Sequence, residues 1–60
     1  MNDYIEINST NYGRITIFTS KILYITESGE FTVITVQQNA PTQLNIITNY
    51  TMAQLLQQIG

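Results

Sequence analysis

Sixty residues allow a single domain, and a chain this short buries only roughly 60% of its unfolded surface, so its core is small. With neither cysteine nor histidine it has no disulfide, no thiolate metal site and none of the commonest general base or metal ligand. A net charge of −2 from two cations and four acids excludes dense phosphate neutralisation by one chain, which disfavours direct nucleic-acid binding.

In chain order, Tyr4 to Asn8 alternates polar and apolar residues, with Ile5 and Ile7 on one face of a first strand, residues 4–8. The segment from Asn8 to Gly13 is rich in Asn, Ser and Gly and predicts a turn. Alternation resumes over residues 14–19, with Ile15 and Ile17 on one side and Arg14, Thr16 and Phe18 on the other. Residues 21–26 read as a third strand, apolar on both faces: Ile22 and Tyr24 one way, Leu23 and Ile25 the other. Ser28-Gly29 predicts a short hairpin, with Glu27 and Glu30 on either side. Phe31 to Val36 consists only of β-branched and aromatic residues and anchors a fourth strand, residues 31–37. A polar loop from Gln37 to Pro41 follows, because proline cannot donate to a ladder. Residues 43–48 form the last strand, with Leu44 and Ile46 on one face and Ile47 on the other.

Met52, Leu55, Leu56 and Ile59 fall at i, i+3, i+4 and i+7, which predicts a helix over residues 52–59. Thr51 before it and Gln54 three residues later make a capping box. Tyr50 and Leu55 are placed for a hydrophobic staple, and Gly60 stands where a C-terminal cap belongs. A helix this short is unstable alone and must dock on the sheet. The fold class is therefore α+β and mostly β: an antiparallel meander of five strands followed by one C-terminal amphipathic helix.

The chain offers little chemistry. Glu27 and Glu30 read as charges on a solvated hairpin tip rather than as a carboxylate pair. Asp3 and Glu6 read as charges that discourage pairing at a sheet edge. Ser20 and Lys21, adjacent in a strand, would point to opposite faces and so form no dyad. The three scattered glycines make no phosphate loop. The expectation is a non-enzyme without cofactor or metal. The N-terminus lacks the basic start and apolar stretch of a signal peptide, and no segment reaches the roughly 18–20 apolar residues of a membrane span. A cytoplasmic location in a prokaryote or phage is expected, with no membrane insertion.

The richest signal is surplus apolar surface. One helix covers one face of a sheet, yet the third and fourth strands are apolar on both. Phe18, Ile22, Tyr24, Phe31, Ile34 and Val36 are therefore interface candidates, covered either by sheet curvature or by another chain. Arg14 and Lys21 are the candidate anion or nucleic-acid contacts, and with Phe18 or Tyr12 they could form a small stacking surface. The preferred function is a non-catalytic interaction module, homo-oligomeric, that modulates a larger protein assembly. Two alternatives stand: a phage- or mobile-element-encoded inhibitor of host defence, binding a protein or sequestering a nucleotide signal, and an oligomeric nucleic-acid-binding protein.

Gly13-Arg14-Ile15-Thr16-Ile17, then Ile22-Leu23-Tyr24-Ile25-Thr26, then Thr32-Val33-Ile34-Thr35-Val36, then Ile46-Ile47 and the helix from Met52 form a series. That series resembles the FlbD/SwrD-like small flagellar proteins over most of the chain. The resemblance implies a small sheet closed by a terminal helix. Two departures stand out: the family's tight glycine hairpin is replaced by the longer Gln37 to Pro41 loop, and its acidic helix start by Asn49-Tyr50-Thr51. The last part also resembles the end of a LytTR-type DNA-binding domain, although the chain is too short and too acidic for that whole module.

Overall fold

A computed structural model describes residues 3–39 and 42–60. It contains five strands, β1 (Tyr4–Ser9), β2 (Gly13–Phe18), β3 (Ile22–Ser28), β4 (Phe31–Asn39) and β5 (Thr42–Thr48), then a helix α1 (Met52–Ile59). All strand pairs are antiparallel and lie in one sheet. The α+β class, the five strands and the terminal helix stand as the sequence predicts.

The strand order is β2-β1-β5-β4-β3, so the simple meander is corrected. Two tight hairpins are as expected. Ser9 pairs with Gly13 across the three residues Thr10 to Tyr12, and Gly13, which opens β2, adopts a left-handed φ of 72° that glycine takes without steric cost. The first strand runs one residue past the expected 4–8, so Ser9, read as a turn residue, belongs to β1. Ser28 pairs with Phe31 across Gly29-Glu30, with φ 62° at Gly29 and no positive φ at Glu30, the pattern of a type II′ turn. Between Phe18 and Ile22 there is no such turn. Thr19–Lys21 forms a single 3₁₀ turn, which acts as a corner and carries the chain from one sheet edge to the other. β2 and β3 thus become the two outer edges instead of neighbours. Residues 19 and 21, expected in strands, lie in this corner. β4 runs on to Asn39, so the expected loop begins later; Ala40 and Pro41 lie outside the described residues, as do Met1 and Asn2.

The β1–β5 junction is narrow. It has one paired position, Ser9 with Thr48. Side chains and one further backbone bond supply what the ladder lacks. Thr48 Oγ1 donates to Asn8 O at 2.8 Å, and the Thr10 N–H reaches Ile47 O at 2.7 Å. Asn11 Nδ2 donates to Asn45 O at 3.0 Å while its Oδ1 accepts from the Ile47 N–H at 3.2 Å. Below this junction β1 diverges from β5, and Gln58 of α1 fills the gap. Its Oε1 accepts from the Glu6 N–H at 3.2 Å and its Nε2 donates to Glu6 O at 3.3 Å.

The sheet curls around its inner face. Ile5, Ile7, Ile17, Ile34, Val36 and Ile46 converge there with Leu55 of α1. The helix contacts both β1 and β3, so it reaches across the inner face from the second strand of the order to the far edge. Its capping box is formed: Thr51 Oγ1 accepts from the Gln54 N–H at 3.1 Å and Gln54 Oε1 accepts from the Thr51 N–H at 2.8 Å. Tyr50 packs against the same core that holds Leu55, and the Gly60 N–H caps Leu56 O at 3.0 Å. Of the predicted helix face, Met52 and Ile59 are half-buried and Leu55 is fully buried, but Leu56 is 53% exposed.

Candidate interaction surface

Curvature decides which candidate residues remain available. Ile34 is 0% exposed and Val36 is 6% exposed. Both are core residues, and the interface reading is corrected for them: the curled sheet and α1 cover within one chain what a flat sheet would leave open. Ile22 is half-buried and packs on the same core.

A bulge explains why Ile22 and Tyr24 part company. Ile22 pairs with Val36 and Tyr24 with Thr35, so Leu23 is an extra residue in the ladder. Strict alternation would send Ile22 and Tyr24 the same way. With the bulge, Ile22 and Ile25 both turn to the core, whereas Leu23 and Tyr24 stand exposed. On the outer face Tyr24 flanks Thr35, whose hydroxyl donates to Asn45 Oδ1 at 2.9 Å.

Phe18 and Phe31 are exposed. Phe18 is paired across β1–β2 with Tyr4, which makes an exposed aromatic pair on the outer face. That pairing of Tyr4 with Phe18 depends on the hairpin register, which residue type alone does not fix. Five of the six aromatic side chains (Tyr4, Tyr12, Phe18, Tyr24 and Phe31) are 42–58% exposed. The sixth, Tyr50, is half-buried beside the core. The fully enclosed core is aliphatic.

Beside β2 the curled sheet leaves a cleft of about 240 Å³. Ile15, Ile17, Val36 and Leu44 form its apolar floor; Phe18, Lys21, Gln37 and Gln38 also line it. Here β3 pairs with β4 no further than Val36, so the end of β4 continues without a paired strand on that side. The sequence could mark Phe18 and Lys21 individually, but the cleft itself depends on β2 curling over β4 and β5.

The two cations are not brought together. Arg14 lies at the start of β2, where Nη2 meets Glu6 Oε2 at 3.4 Å, and both side chains are well exposed. It lines a separate polar recess with Glu6, Asn8 and Tyr50. Lys21 lies beyond the other end of β2, at the cleft. Ser20 and Lys21 share the 3₁₀ corner rather than a strand. Glu27, near the end of β3, and Glu30, in the β3–β4 turn, are both exposed. Among the described residues no three His, Cys, Asp or Glu side chains form a group that could hold a metal ion, no buried side-chain polar atom lacks a hydrogen-bond partner, and no helix is long and apolar enough to cross a membrane.

No family model, curated protein or solved structure matches the chain.

Proposed function

We propose that this protein is a non-catalytic interaction module that associates with itself and acts on a larger protein assembly. The observation that carries the reading is the inverted placement of its aromatic residues. Aromatic side chains are the largest apolar groups available, and in a small domain they ordinarily fill the core. Here the enclosed core is built of isoleucine, valine and leucine, and five of the six aromatics stand outside. Exposed tyrosine and phenylalanine are what protein interfaces enrich, since they bury a large area at small entropic cost. Low charge supports the same reading, because few like charges oppose approach of a second copy. The resemblance to the small flagellar proteins adds a larger assembly as the setting.

The nucleic-acid alternative gains no support from the geometry, since Arg14 is held by Glu6 and lies apart from Lys21. Replacing Tyr24 and Phe18 together by threonine tests the proposal. Threonine keeps the β-propensity and removes the exposed rings. The expected result is weaker self-association by light scattering with an unchanged unfolding midpoint in dilute solution. Unchanged association would remove the aromatics from the interface.

A further inference from the structure

We infer that copies of this chain associate by seating the β3–β4 hairpin tip of one in the β2-side cleft of another. The inference rests on the self-association proposed above and names the two surfaces that meet.

The cleft and the tip are complementary in charge. Lys21 stands at the cleft and makes no ion pair among the described residues. With Arg14 engaged by Glu6, it is the remaining cation of the chain. The tip carries the opposite pattern: Glu27 precedes the turn and Glu30 lies in it, neither has an ion pair among the described residues, and no cation lies between them in sequence. They are also complementary in apolar character. Phe31, next to Glu30, is exposed, and the cleft floor is aliphatic, with Phe18 among the residues that line it.

Size fits the same occupant. Clefts for drug-sized ligands run from about 300 Å³ upward, and this one, at about 240 Å³, is scaled to a side chain on a turn. The two surfaces cannot satisfy each other within one chain. Glu30 lies just before β4, which Phe31 begins, and Gln37 lies toward the strand's end, a separation of roughly 20 Å at the rise of an extended strand. The complementary contact is therefore between copies.

Charge reversal tests this with the intact chain. Sedimentation equilibrium is run at low salt on the unmodified protein, on Lys21→Glu, on Glu30→Lys and on the double variant, with Glu27→Lys as a second change at the tip. All these positions are exposed, and far-UV circular dichroism checks that each variant folds. Each single reversal should weaken association about tenfold or more, added salt should weaken the unmodified protein too, and the double reversal should restore association. Single reversals that leave association unchanged would overturn the tip-in-cleft contact and leave self-association standing. A double variant no better than the singles would overturn it as well. An unmodified chain that stays monomeric throughout would instead overturn the self-association itself.

Discussion

Asn11 and Gln58 each present a side-chain amide to a strand edge where another strand would otherwise pair. An amide matches the backbone's own spacing of donor and acceptor, so one side chain satisfies both groups of the strand it meets. Gln58→Ala should remove both bonds to Glu6 and destabilise the fold by about 1–2 kcal/mol. Amide exchange should then accelerate at Glu6. Asn11→Ala should act similarly but expose the Ile47 amide instead. Two-dimensional NMR exchange distinguishes the two; identical, global acceleration in both variants would contradict the local role. Gly29→Ala should cost about 1–2 kcal/mol, because φ 62° is unfavourable for any residue with a Cβ although open space surrounds the site. A urea midpoint unchanged from the parent would refute that. At this scale the sequence is legible where partners are close in the chain. Thr51 and Gln54, three residues apart, could be read as a capping box. Asn11 and Gln58 could not, since their partners lie 34 to 52 residues away and are set by the tertiary fold.

Elements carry the packing. Leu55 is the one fully buried residue of α1 and sits among isoleucines from β1, β2, β4 and β5. Leu55→Ala should cost about 2–5 kcal/mol, which is comparable to the whole stability of so small a domain. Leu56→Gln, one residue along, should stay within about 0.5 kcal/mol, because that side chain is mostly exposed. Chemical denaturation of the two variants compares them directly, and equal losses would contradict the placement of the helix. The helix span was legible from its 3.6-residue period and its cap. Which of Leu55 and Leu56 lies at the centre of the buried stripe was not, since both fit the same period. The bulge at Leu23 hid itself for a related reason: every residue from Ile22 to Ile25 is apolar or aromatic, so alternation offers no register to violate.

Across the whole molecule, the missing information was the strand order. Gly13 and Gly29 announce their hairpins, but the stretch between Phe18 and Ile22 contains no glycine, asparagine or aspartate to make a tight reversal. The chain therefore turns a 3₁₀ corner, β5 pairs with β1, and the sheet curls over its own inner face. Ile34 and Val36 pass from surplus surface to core as a result, while Phe18, Tyr24 and Phe31 remain outside. The apolar excess legible in the sequence is thus real but smaller than a flat sheet implies, and it is concentrated in aromatic side chains. Those side chains are the basis of the proposed self-association. Its most direct test is the weight-average mass of the unmodified protein over a wide concentration series. The mass should rise above the 6.8 kDa of one chain as concentration increases. A value that stays at 6.8 kDa at every concentration would contradict it.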